Sequence, residues 1–225
     1  IIVLGMLYTR IKKWFDTPKR PYGDGSVGDA YDNWTRDGVL EHYWGEHIHM
    51  GSYTPMAEQA GYRKHDPFLV ALLRATLRPL ADFKDAKIVF TNEMIDYSQA
   101  KAPKKILDVG CGIGGSSRIL AKRFPDAEVL GITLSPEQVE RATSLAKDAG
   151  LTNVKFQVAN ALDMPFEDDT YDLVWGCESG EHMPDKQKYV QEMVRVLAPK
   201  GNLVVATWCE RDPTPPFTNE ERNTL

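Results

Sequence analysis

Three short stretches carry residue types and spacings that could do chemistry. The first is "KKILDVGCGIGGSS", Lys104 to Ser117, where Gly110, Gly112, Gly114 and Gly115 crowd behind an apolar run holding one acid, Asp108. Backbone that bare is costly to order and is used where a chain must turn sharply or come close to something. The second is "ESGEHMPD", in which Glu178, Glu181 and His182 offer two carboxylates and an imidazole for acid–base work on a bound hydroxyl. The third is "HIHMG", with His47 and His49 at a spacing that would share one face of a strand. Two ligands at that spacing with no third in view do not make a zinc site, so no metal is expected. Packing over a ligand suits these histidines better.

Elements that could hold these groups follow from periodicity. From Pro103 onward the chain alternates short apolar strands with amphipathic helices: "KILDVG", "SSRILAKRF", "EVLGIT", "SPEQVERATSLAKDAG", "VKFQVAN", "YDLVWGC", "DKQKYVQEMVRVLAP", "NLVVATW". In the helix from Pro136, Ser135 is the cap, Gln138 completes a capping box and Gly150 is the stop. Ile119, Leu120 and Phe124 are the inward positions of the helix after the glycines. Such alternation predicts an α/β fold: a doubly wound, mostly parallel, Rossmann-like sheet with helices on both faces. The turn after its first strand then lies at the ligand crevice.

The turn reads G-x-G-x-G rather than the G-x-G-x-x-G of dinucleotide proteins. The second strand ends in Thr133, where a nicotinamide enzyme would place an acid for the ribose. Asp108, inside the first strand, could take a cationic amine through backbone amides and water. An adenosine with a cationic amino-acid tail fits this turn better than a pyrophosphate does.

Upstream, residues 21 to about 30, "PYGDGSVGDA", read as a linker. Tyr31 to Tyr53 is dense in aromatics and histidines, among them Trp34, Tyr43 and Trp44. Those rings suit the core of a small cap helix or a flat aromatic ligand. Asp66 to Ala100 has helical spacing, with Pro79 dividing it into two helices. Before all of these, "IIVLGML" is followed by Arg10, Lys12, Lys13, Lys19 and Arg20 with Trp14 and Phe15 among them. That order fits a membrane-exit pattern or a buried helix with a solvated basic flank. The expected layout is therefore a membrane-associated segment over 1–20, a cap with helices over 21–100, and a ligand-binding domain over 101–225.

The chain has 225 residues, room for a sizeable core, and a formal net charge of -5, which lends no support to a nucleic-acid partner. Cys111, Cys177 and Cys209 lack metal spacing and suit reduced thiols.

These motifs resemble class I S-adenosylmethionine-dependent methyltransferases, and within them the tocopherol and plastoquinone branch. "LDVGCGIGGSSRILAKRF", "GITLSPEQVERA" and "ESGEHMPDK" are similar to the γ-tocopherol methyltransferase set. "SVGDAYDNWTRDGVLEHYWGEHIHMGSY" is closer to the 2-methyl-6-phytyl-benzoquinol methyltransferases. The resemblance implies S-adenosyl-L-methionine as cofactor and a prenylated quinol as substrate, methylated on a ring carbon at a plastid or cyanobacterial membrane. It implies cofactor contacts from Asp108, Gly110, Gly112, Gly114, Thr133, Leu134, Gln138, Asn160, Ala161, Leu162, Cys177 and Tyr31. Trp44, His47 and His49 would face the substrate, and His182 or Glu181, with Glu178 beside them, would orient or deprotonate its hydroxyl. Asn160 stands where the family more often has Asp. In this fold two further strands and a substrate-covering region are expected after "NLVVATWCERD", whereas the sequence ends at Leu225. Two other readings stay open: N-methylation of an amine, and a methyltransferase-fold subunit of a membrane complex without catalysis.

Overall fold

The computed structural model describes residues 24–52 and 81–208. The apolar and basic start, the first of the two helices expected after Asp66, and Cys209 lie outside the described residues. Two helices come first, α1 (Asp24–Arg36) and α2 (Val39–Trp44). Helix α3 (Ala81–Ser98) then leads into β1 (Lys105–Val109), α4 (Gly115–Arg123), β2 (Glu128–Thr133) and α5 (Pro136–Asp148). The remainder is β3 (Val154–Val158), β4 (Tyr171–Cys177), a 3-10 turn at Gly180–His182, α6 (Lys186–Arg195) and β5 (Leu197–Ala206).

The five strands are all parallel, in the order β3-β2-β1-β4-β5. The fold expected from the βα alternation is therefore the fold observed. Side chains alternate across the sheet because strand residues point to opposite faces in turn. Ile106, Leu173 and Trp175 join Met94 and Ile95 of α3 and Leu120 of α4 on one face. Leu107, Val109 and Val174 join Tyr189 and Met193 of α6 on the other. Each large apolar side chain buried in these layers contributes about 1.5–3 kcal/mol. Strand order reverses between β1 and β4, so their carboxyl ends diverge there and open the crevice.

Local signals explain most boundaries. Ser135 Oγ accepts from Gln138 N at 3.0 Å and starts α5; Gly150, at φ 68°, stops it. Asp185 does the same for α6 through Lys188 N at 2.8 Å. Three expectations need correction. Residues 24–30, read as linker, open helix α1: Asp32 accepts from the Ser135 hydroxyl and Arg36 pairs with Glu137 at 2.9 Å. Docking on α5 supplies what the glycines of this segment lack in helix propensity. The capping box is only half made, because Gln138 Oε1 accepts from Thr133 Oγ1 at 2.7 Å instead of reaching the Ser135 amide. That amide turns to Thr133 Oγ1 at 3.3 Å. Finally, α6 stops at Arg195, and Leu197 already belongs to β5, whose register slips against β4 between Tyr171 and Leu173.

Candidate active site

The glycine turn follows β1 with Gly110, Gly112 and Gly114 at φ 80°, 54° and 78°, a left-handed path that side chains resist. Gly110 N and Cys111 N both donate to the carbonyl of Ile132 at 2.9 Å, tying the turn to β2. What the bare backbone admits is the protein itself. A Cβ on Gly110 would strike Ser179, and one on Gly112 would sit 3.2 Å from Ile48 Cδ1. On Gly115 it would meet the Glu46 carbonyl and the His47 ring, and on Gly114 it would come within 2.5 Å of Phe156 Cζ. Gly110 and Gly112 also line a cavity at the crevice, whereas Gly114 stands behind the turn against Phe156 and Ala142.

That cavity holds about 910 Å³ of non-atom space, open solvent included. Asp108 forms part of its wall and is 1% exposed. Burial pushes its carboxyl up to about 7, against the hydrogen bonds from Ser117, whose Oγ donates to Oδ2 at 2.5 Å. A buried acid poised near neutrality is set to gain from a cation placed beside it.

Thr133, Leu134, Gln138 and Ala161 line the same cavity. Asn160 and Leu162 stand off it, since the Asn160 Oδ1 turns back to accept from Leu162 N at 2.9 Å and Leu162 packs under the sheet.

Cys177, Glu178 and His182 bring the end of β4 to the same cavity. Burial raises the Cys177 thiol far above its usual range, so it acts as an apolar wall. Glu178, at φ 50°, accepts from Met50 N through both oxygens at 3.1 Å. Glu181 turns away and accepts from Thr207 Oγ1 at 3.0 Å. His182 keeps its ring on the cavity, with Nε2 3.3 Å from the Tyr31 hydroxyl. Of the three groups expected to do acid–base work, His182 lines the cavity, Glu178 lines it too while bracing the covering segment, and Glu181 braces the chain just after β5.

Residues 46–50 lie over the glycine turn, as a loop and not as the strand that would set His47 and His49 on one face. The two rings meet edge-on instead, with His47 Nδ1 and His49 Nε2 3.3 Å apart, and both line the cavity. Trp44 stands off it, its ring over Lys87 Nζ at 4.7 Å. Among the described residues no group of three or more His, Cys, Asp or Glu is placed to hold a metal ion.

Several contributors escaped sequence reasoning. Lys87, fully buried in α3, donates to the carbonyls of Trp44 and His47 at 2.6 and 2.7 Å and fixes the covering loop from below. Arg118 links Ile113 O (2.7 Å) to Glu46 Oε2 (2.6 Å), joining the glycine turn to the same loop. Ser179 holds the end of β1 by donating to Val109 O at 2.8 Å. Only Arg118, a charge set among residues that must pack, left a trace in the pattern.

A family model described as "Methyltransferase domain" matches residues 100–224. The chain is 47% identical, over 78% of its length and 47% of the relative's, to "Tocopherol O-methyltransferase, chloroplastic" from Arabidopsis thaliana. It is 44% identical to "2-methyl-6-phytyl-1,4-hydroquinone methyltransferase" from Synechocystis sp., over 83% of this chain and 52% of that one. Among solved structures it is similar to a geranyl diphosphate methyltransferase in complex with GPP and sinefungin: 26% identity, TM-score 0.61, 82% of this chain and 65% of that one. The chain spans about half the length of those two curated relatives. A fold alone leaves chemistry open, but the matched model runs through the very turn and strand ends that wall the cavity, and on it the chain belongs to the methyltransferase-domain family.

Proposed function

We propose that this chain carries the methyl-donor half of an S-adenosyl-L-methionine-dependent C-methyltransferase acting on a prenylated benzoquinol. One observation carries the reading: buried Asp108 and the imidazole of His182 line one cavity, with the Tyr31 hydroxyl set against the imidazole. The wall suits the donor, since Asp108 offers a negative charge for an ammonium or sulfonium, and Thr133, Leu134 and Ala161 offer a slot for a flat base. Bound there, the cofactor supplies an electrophilic methyl group for in-line displacement. The residues then have three tasks. Asp108 fixes the cationic end, and residues 46–50 exclude water from above the glycine turn. The His182 imidazole orients the hydroxyl of the ring and takes its proton on the ring nitrogen that Tyr31 does not engage, making the neighbouring ring carbon nucleophilic.

The names of the curated relatives support a hydroquinone with a phytyl-type tail and a plastid or cyanobacterial setting. Segment 1–20, outside the described residues, is the part suited to reach a membrane in which such a tail resides. Among the described residues no helix is long and apolar enough to cross a bilayer. Tocopherol is the second reading, favoured by the 47% identity to the tocopherol enzyme.

Incubating the full-length protein with methyl-labelled cofactor, phytyl and solanesyl benzoquinols and γ-tocopherol tests both. Label on the ring carbon of a benzoquinol is expected; label on tocopherol alone selects the second reading. No labelled product from any of them overturns the assignment. His182→Ala should lower turnover with cofactor affinity nearly intact.

A further inference from the structure

His47 and His49 form a two-ring chain whose hydrogens are fixed by their surroundings. His49 Nδ1 lies 2.7 Å from the carbonyl of Met50, which can only accept, so this nitrogen carries the proton of the neutral ring. Its Nε2 is then a lone pair with two neighbours at 3.3 Å, Thr91 Oγ1 and His47 Nδ1. The Thr91 hydroxyl donates to the carbonyl of Lys87 at 3.0 Å, so its hydrogen is engaged there. The remaining donor is His47 Nδ1–H; without a hydrogen on it, two lone pairs would face each other. His47 Nε2 is left unprotonated, with no hydrogen-bond partner among the described residues, on a ring that lines the cavity.

Resting on the reading that this cavity holds a methyl donor and a hydroxylated ring, we propose that His47 Nε2 is a fixed acceptor for a hydrogen-bond donor on the bound ligands, and that His49 is the positioning residue that sets its tautomer. The shared chemistry is an N–H or O–H pointing at this wall, either the ammonium of the cofactor or the hydroxyl of the quinol. Burial first, and then surrounding charge, keep the ring neutral. Lys87 donates to the backbone of His47 from below, and Arg118 and Lys122 add positive charge, with Glu46 paired to Arg118. Burial, then His49 and these cations, hold His47 down at about 3, and burial holds His49 at about 4. Across the neutral range His47 therefore accepts and does not donate. It selects ligands by demanding a hydrogen, whereas proton removal falls to His182.

The test begins with no ligand and no turnover. Full-length protein with 15N-labelled histidine rings, studied at pH 7 by long-range proton–nitrogen correlation, should show His47 as the Nδ1–H tautomer. An Nε2–H or doubly protonated ring overturns the proposal. In His49→Phe the Nδ1–H loses its acceptor and the tautomer should switch to Nε2–H; in His49→Gln an amide oxygen can restore it. Retention of Nδ1–H in His49→Phe overturns the positioning role. His47→Leu then separates the sources, read by calorimetric titration of S-adenosyl-L-methionine and by the KM for quinol. A loss of cofactor affinity of about tenfold identifies the ammonium; a rise in KM of about tenfold with cofactor affinity intact identifies the hydroxyl. If neither moves, the acceptor role is overturned. A wild-type protein that transfers no methyl group defeats the functional reading alone, since the tautomer is measured independently.

Discussion

The Tyr31 hydroxyl lies 3.3 Å from His182 Nε2, joining two residues 151 positions apart. Their rings stand edge-on, with centroids 5.9 Å apart and planes at 81°. Helix α1 thereby closes on the 3-10 turn after β4, and the imidazole expected to handle the substrate proton is held by the element that covers the cavity. The contact that brings α1 onto the cavity also sets the orientation of the His182 ring.

Removing only the phenol oxygen tests that coupling. Tyr31→Phe keeps the ring packed against Trp34 and loses the hydrogen bond to His182. Such a bond is worth about 0.5–1.5 kcal/mol, so turnover should fall by about two- to tenfold. The thermal midpoint should fall by no more than a few degrees. Steady-state rates with urea unfolding decide it; a full loss of stability with unchanged turnover per folded molecule would make Tyr31 a packing residue.

Asp108 predicts a pH signature. Burial raises its carboxyl from 3.8 to about 7 in the fold, so between those values the folded chain holds a proton that the unfolded chain has released. Stability from this group is therefore greatest below pH 3.8, declines as pH rises towards 7, and stays at the lower level above it. A cation bound beside the carboxylate reverses the shift, and binding at pH 6 should expel about one proton, with almost none released at pH 8. Calorimetry of S-adenosyl-L-methionine in buffers of different ionisation heat measures that number. Asp108→Asn should bind more weakly and release none.

The sheet was legible because its signals are local: apolar strands, the Ser135 cap and the Gly150 stop lie within the elements they define. The covering segment was not, because its structure is decided from a distance. Asp24–Arg36 is glycine-rich by composition and helical by contact, its partners Ser135 and Glu137 lying about a hundred positions away. His47 and His49 line one cavity, yet by meeting ring to ring in a loop and not on one face of a strand. Asn160 shows the converse, where a polar side chain in a motif turns back to its own backbone, off the cavity lining. Sequence spacing tells which residues are near; hydrogen-bond bookkeeping over the whole chain tells which way they turn.

Arg118 offers a stability test of the latch between turn and cover. Its side chain is 6% exposed while that of its partner Glu46 is 53% exposed. Arg118→Met removes the donor to the Ile113 carbonyl and cuts one tie to the covering loop, at a cost of about 2–4 kcal/mol. Glu46→Gln retains an acceptor at a wet site and should cost less than about 1 kcal/mol. Denaturant midpoints of the two variants check the asymmetry; equal losses would mean that the loop, not the turn, depends on the arginine.

Two glycines separate backbone strain from close packing. Gly114 and Gly150 have similar φ, 78° and 68°, so an alanine at either carries a left-handed penalty of about 1–2 kcal/mol. Around Gly150 a Cβ meets nothing within 4 Å, whereas at Gly114 it would come within 2.5 Å of Phe156 Cζ and 3.1 Å of Ala142 Cβ. Overpacking of that kind adds about 1–3 kcal/mol. Phe156 already lies against the bare backbone of Gly131 on β2, in the space a Cβ there would fill, which leaves it little room to retreat that way. Gly114→Ala should therefore destabilise more than Gly150→Ala by the overpacking cost alone, measured by urea unfolding. Cofactor titration of the folded fraction should show little change, because Gly114 stands behind the turn. Equal destabilisation would show that Phe156 yields after all, and lost affinity in a folded Gly114→Ala protein would return that glycine to the cavity wall.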